Sequence, residues 1–65
     1  DASYPYYYKS LLSLAKGNLE AAEADMKTAV RNRLPESSIR HFLGQLMKNG
    51  NYVKAIKLGV ELRQH

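Results

Sequence analysis

Ser38, His41, Gln45 and Lys48 stand at i, i+3, i+7 and i+10, and Tyr6, Lys9, Ser13 and Lys16 repeat that spacing 32 residues earlier. On helices each set makes one polar stripe. Two lysines near one end, a ring in each stripe, and hydrogen-bonding Ser and Gln are the groups that hold phosphates and contact unpaired bases. A solvated helix face carries the same residue types, so the stripes read either way.

Catalysis has little to work with. His41 and His65 are the two histidines, and His65 is terminal, which leaves no metal pair. There is no H-E-x-x-H, phosphate loop or nucleophile motif. Glu20, Glu23 and Asp25 share one helical segment, where a charged exposed face accounts for them. We therefore expect no enzyme and no cofactor. With no Cys, disulfides and thiolate metal sites are excluded. The formal net charge of +4, from ten Lys and Arg against six Asp and Glu, favours acidic partners modestly. No apolar run approaches the roughly 18 to 20 residues of a membrane span, and the start lacks the basic and apolar regions of a signal peptide. An intracellular protein without a membrane partner is the expectation. The chain opens on DASYPYYY without a Met, as a processed product or a fragment of something longer does.

The elements that would position the stripes follow from a repeat. Gly17-Asn18-Leu19 aligns with Gly50-Asn51-Tyr52 at an offset of 33, which also pairs Ala22 with Ala55. Upstream of each Gly-Asn the better offset is 32, pairing Leu11 with Leu43 and Leu14 with Leu46, as though the first unit lacked one turn residue. A period near 33 points to stacked helix–turn–helix units. Apolar stripes agree: Tyr7, Leu11, Leu14 and Ala15; Leu19, Ala22, Met26, Ala29 and Val30; Ile39, Phe42, Leu43, Leu46 and Met47; Tyr52, Ala55, Ile56, Gly59 and Leu62. No run has period 2, so strands are not expected.

Punctuation sets the boundaries. Gly17 and Gly50 suit the left-handed end of a helix, and Asn18 and Asn51 suit the next N-cap. Pro35 stops the second helix, Ser37 is the expected cap of the third, with Glu36 at the positive end of its dipole, and Ser3 that of the first, where Pro5 is tolerated. The expected helices are about 4–16, 18–33, 37–49 and 51–63. The expected fold is all-α: two stacked antiparallel helix–turn–helix hairpins in one domain, with unit 1 at about 4–35 and unit 2 at about 36–65. Two units are few for a stable stack, so neighbouring repeats or a docking surface are expected. Gly59 inside a helix costs roughly 1 kcal/mol against Ala, for which close helix approach is a reason. Tyr7 is expected to close the end of the core, with Tyr8 beside it in the same reading, while Tyr4 and Tyr6 stay open between plain exposure and stacking on a base or a partner. Lys27 and Arg31, with Glu23 four residues before Lys27, have helical pairing as a sufficient role.

Across nearly the whole chain the sequence resembles the pentatricopeptide repeat. In IRHFLGQLMKNGNYVKAIKLGVEL the resemblance rests on Phe42-Leu43, Lys48, Gly50 and Ala55-Ile56, and in the first unit on Leu11, Lys16, Gly17, Leu19, Ala22 and Met26. The tetratricopeptide repeat is a close second, to which Gly17, Ala22, Ala29 and Pro35 are similar in placing. Gly59 departs from the pattern, standing where a large apolar residue is usual. The first resemblance implies single-stranded RNA binding, a mitochondrial or plastid setting, first helices lining a concave groove, and base choice at His41 assisted by Ser38 and Ser37. The second implies protein or peptide binding and scaffolding. Tyr6, Lys9, Ser13, Lys16, Ser38, His41, Gln45 and Lys48 would line the groove in the first case; in the second, either the same groove or the apolar end faces would take a helix or an extended peptide.

Overall fold

Residues 2–64 are described by a computed structural model in which four α-helices alternate with short turns and no strand occurs among the described residues. They are α1 (Ser3–Ala15), α2 (Leu19–Arg31), α3 (Glu36–Lys48) and α4 (Tyr52–Arg63). α1 pairs with α2 and α3 with α4; the two hairpins then stack like on like, α1 against α3 and α2 against α4.

All three connections end a helix the same way. After α1, Gly17 takes φ +81°, its N–H donates to the Leu14 carbonyl at 3.0 Å, and the Asn18 N–H donates to the Ser13 carbonyl at 2.9 Å. After α3, Gly50 takes φ +81°, with N–H bonds from Gly50 to Met47 and from Asn51 to Leu46, both at 3.0 Å. These paired bonds satisfy carbonyls the helix would otherwise leave open, and they require a left-handed residue where Gly is least strained. The inter-hairpin turn repeats the pattern with an unexpected residue. Arg33 is left-handed at φ 66°, its N–H donates to Val30 at 3.0 Å, and Leu34 N–H reaches back to Ala29 at 3.2 Å. That turn ends α2 at Arg31, two residues before the sequence expectation.

The N-termini depart from expectation in three places. Asn18 caps α2, its side chain accepting from the Ala21 N–H at 3.4 Å. Asn51 holds the matching position without a side-chain cap bond. Ser37 lies inside α3; Pro35 is the N-cap, extended at ψ 148°, and its carbonyl accepts from Ser38 and Ile39. Proline has no N–H to lose and already holds a helix-compatible φ, so it starts α3 as readily as it stops α2. Ser3 likewise lies inside α1, buried, with Ala2 in the cap position.

The turn after α1 lacks no residue. α1 and α3 are equally long, begin 33 residues apart, and reach their glycines by the same route. The offset of 32 lives in the side chains: the buried Tyr7, Ser10 and Leu14 match the buried Ile39, Phe42 and Leu46. Viewed from the turn, α1 is rotated by one residue relative to α3, about 100°. The rotation brings Ser3 and Ser10 to the buried side of α1. Ser10 Oγ donates to the Tyr7 carbonyl, so its hydroxyl is satisfied inside the helix. With Ala22 and Ala29 buried on α2, these small side chains let α1 and α2 approach more closely than the other helix pairs do.

The core joins both hairpins. Met26, Phe42, Leu46, Leu58 and Leu62 are its largest enclosed apolar side chains, closed at the inter-hairpin turn by Leu34. Of the expected stripes, Ala15, Met47, Tyr52 and Ile56 are exposed, while Leu58 is buried without having been expected. On α4 the inward face is Ala55, Leu58 and Leu62. Ile56 stands one residue, about 100°, off that line and points away.

Candidate interaction surfaces

The two polar stripes do not meet across a groove. His41 and Gln45, with Asn49, line a cleft of about 240 Å³ between α3 and α1. The α1 residues facing them are Leu11, Leu14 and Ala15. Lys9 and Ser13 lie two residues to either side of Leu11, about 200° around the helix, so the α1 stripe points away from α3. There Lys9 Nζ lies over the Tyr6 ring, 5.5 Å from its centroid, a cation–π contact within the first hairpin. Lys16 caps the end of α1 in the Gly17 turn. Lys48 is exposed in the last turn of α3. Ser38 is half-buried, near enough to Tyr7 for its hydroxyl to act on the phenol's titration. His65 lies outside the described residues.

Tyr7 is buried and Tyr8 is not, so only the first of that pair closes the core. Tyr4, Tyr7 and Tyr8 form one ring cluster, with Tyr4 stacked on Tyr8 at 6.2 Å and Tyr7 tilted against Tyr8 at 5.4 Å. Burial raises the Tyr7 phenol above its ordinary value; the neighbouring Tyr8 and Tyr4 act the same way, and the Ser38 hydrogen bond opposes them.

Two charges of α2, Glu23 and Lys27, pair across to α4. Lys27 Nζ meets Glu61 Oε2 at 3.0 Å, and Lys54 Nζ meets Glu23 Oε2 at 3.4 Å. Each pair is partly exposed and contributes modestly, but two pairs of opposite sense fix the register of α4 on α2. An open hollow beside them is bordered by Glu23, Lys54, Lys57 and Glu61, where these pairs already neutralise most of the charge.

The most distinctive surface is one that the apolar periodicity concealed. Leu43 and Met47 of α3 and Ala55, Ile56, Gly59 and Val60 of α4 line a groove of about 380 Å³ on the outer side of the second hairpin. Ile56 is 67% exposed, Val60 54% and Met47 41%. Gly59 forms its floor: a Cβ built there meets Leu43 Cδ1 at 3.3 Å and Arg63 Nη1 at 3.6 Å. The close approach expected at Gly59 is thus made by side chains. Arg40 and Arg63 stand at the rim, and both lean on Glu36 Oε1, at 3.8 and 3.2 Å. Helix-period patterning found Met47, Ile56 and Gly59 but assigned them to the core. Val60, outside every stripe, was the residue that could have marked a second apolar face.

Among the described residues no helix is long and apolar enough to cross a membrane. Compared with protein-family models, curated proteins and solved structures, the chain matches none.

Proposed function

We propose that this chain is a non-catalytic docking module that binds protein through the outer α3–α4 groove. The exposure of Ile56, Val60 and Met47 on one continuous face carries the reading. Surface apolar residues scattered singly need no explanation, but a contiguous patch with a charged rim is how helical surfaces receive a partner. Each of these side chains is already partly covered, so completing the cover contributes about 0.5–2 kcal/mol per side chain. Single-stranded RNA binding by a pentatricopeptide-like groove draws on the net charge of +4, yet Lys9 and Lys16 stand on the side of α1 away from His41 and Gln45, which weakens it. With the RNA reading goes its mitochondrial corollary.

A photo-crosslinking residue at Val60, compared with one at Glu20 on the polar side of α2, tests the choice in cells that make the protein. A protein adduct formed from Val60, absent from Glu20 and lost with Ile56→Glu supports docking. An RNA adduct, or none, refutes it. In parallel, fluorescence anisotropy of labelled mixed-sequence single-stranded RNA is followed at low and near-physiological salt. Saturable binding that weakens with salt and with Lys16→Ala/Lys48→Ala favours the RNA reading, because phosphate contacts release counterions.

A further inference from the structure

We infer that the α3–α4 groove receives a further helical hairpin, stacked as α3–α4 itself stacks on α1–α2. That hairpin presents apolar side chains where α4 presents Lys54 and Glu61, and a carboxylate toward Arg40 and Arg63. The inference rests on the docking reading above and names its occupant.

The repeat carries the argument. A step of 33 residues takes Glu23, Met26, Lys27 and Val30 of α2 to Ile56, Gly59, Val60 and Arg63 of α4. The side-chain step of 32 takes Leu11 and Ala15 of α1 to Leu43 and Met47 of α3. In the first hairpin these are the positions against which the second is seated: Glu23 and Lys27 pair with Lys54 and Glu61, and Leu11 and Ala15 face His41 and Gln45. The groove is therefore the same face one step on, and it is uncovered.

Its chemistry differs from the first interface in two ways that define the occupant. Where α2 offers Glu23 and Lys27, α4 offers Ile56 and Val60. A helix carrying Lys54 and Glu61 would leave both charges over apolar side chains, which costs free energy. Where the first hairpin has Tyr8 and Val30, the second has Arg40 and Arg63, and one carboxylate, Glu36, serves both. A positive excess at the rim asks for an acidic group on the partner. A second copy of this chain fits less well. Stacked in the same register it brings Tyr6, Lys9 and Ser13 to the places of Ser38, His41 and Gln45, so that Lys9 approaches the arginine rim between two bodies of formal charge +4.

The test keeps the full 65-residue chain and extends it past His65 with a second copy of residues 33–65, which preserves the 33-residue step. In the added hairpin alone, Lys54→Leu, Glu61→Leu and Ser38→Glu supply the inferred chemistry. The extended chain is expected to melt in one transition with a midpoint on the order of 10 °C above that of the 65-residue chain. An added hairpin that keeps Lys54, Glu61 and Ser38 gives less than half that shift. Ile56→Glu in the original hairpin, which leaves the midpoint of the 65-residue chain within about 2 °C because the side chain is exposed, removes the gain. Two separate transitions, an unmoved midpoint, or equal gains from both added hairpins would overturn the inference. So would dimerisation of the 65-residue chain in sedimentation that Ile56→Glu abolishes, since the occupant would then be a second copy. Protein crosslinking from Val60 without any gain in the extended chain overturns the hairpin occupant while the docking reading stands.

Discussion

Arg33 is the clearest place where backbone geometry and residue type disagree. The three inter-helix turns share one hydrogen-bond pattern, and the left-handed position is Gly17, Arg33 and Gly50 in turn. A side chain with a Cβ costs roughly 1–2 kcal/mol in that conformation. Glycine avoids the cost but loses more freedom on folding, which returns about 0.5–1 kcal/mol. The balance makes Arg33→Gly more stable than Arg33→Ala by about 0.5–1 kcal/mol, or roughly 3–6 °C in midpoint at this chain length. Comparison with Ala is needed because both variants delete the guanidinium, so their difference isolates the backbone. No described ion pair or side-chain hydrogen bond uses Arg33, so little else changes. Thermal unfolding followed by far-ultraviolet circular dichroism at neutral pH is sufficient. If Arg33→Gly melts at or below Arg33→Ala, strain at the inter-hairpin turn is not what the left-handed geometry implies.

Gly59→Ala should stabilise the chain by about 0.5–1 kcal/mol in urea unfolding, since the gain in helix propensity meets one tight contact, the end of the Leu43 side chain at 3.3 Å, beside an ordinary one with Arg63; a net loss would show that Leu43 cannot give way. Phe42→Ala, at a fully buried core position, should cost about 3–5 kcal/mol. In so small a domain that is enough to abolish the cooperative melt, and a retained sharp transition would contradict the core described here. Tyr7, raised above its ordinary value of 10.0 by burial, binds its proton more tightly folded than unfolded. Its contribution is therefore full below pH 10.0 and is lost as pH rises past it. Tyr7→Phe should flatten that alkaline limb relative to the parent chain, and unchanged curves for the two would refute the assignment.

Four helices, their order and their pairing were legible because helix boundaries are local. Gly17 and Gly50 announce themselves, and the Asn18 cap follows the expected chemistry. What stayed hidden depends on neighbours that a period of 3.6 does not identify. Leu14 and Met47 look alike as stripe residues, yet Leu14 is buried beside α3 and Met47 is left 41% exposed on the outer groove. Ile56 was counted inward beside Ala55, whereas Leu58 completes the buried face. The rotation of α1 has the same origin. Its sequence offers Tyr7-x-x-Ser10-x-x-x-Leu14 to a partner rich in Ala, and close packing selects that face. Each polar set lies along one side of its own helix. Their shared groove failed because the two hairpins stack like on like: the same side of each helix faces the same direction, so the α1 stripe lies on the far side of its own helix from α3.

That directionality gives the two ends of the stack unlike chemistry. On the first hairpin, the side equivalent to the one α3–α4 turns toward α1–α2 carries Lys9, Ser13, Ala21 and Thr28, with the Tyr6 ring beneath Lys9 as the largest of these side chains. On the second hairpin, the opposite side carries Met47, Ile56 and Val60. A helical stack needing no partner gains solubility from a polar outer face at each end, and the 33-residue step shows how little sequence this would take. Glu23 and Lys27 hold the two positions one unit earlier that Ile56 and Val60 hold here. Exchanging paired charges for exposed β-branched side chains gives no folding advantage to the isolated chain, because neither side chain is buried by it. The exchange makes physical sense when something dry covers that face. Ile56→Lys with Val60→Glu is therefore expected to leave the folded chain as stable as before while making it more soluble. A large loss of stability would mean that these side chains already serve the core, and the case for a docking face would fall with it.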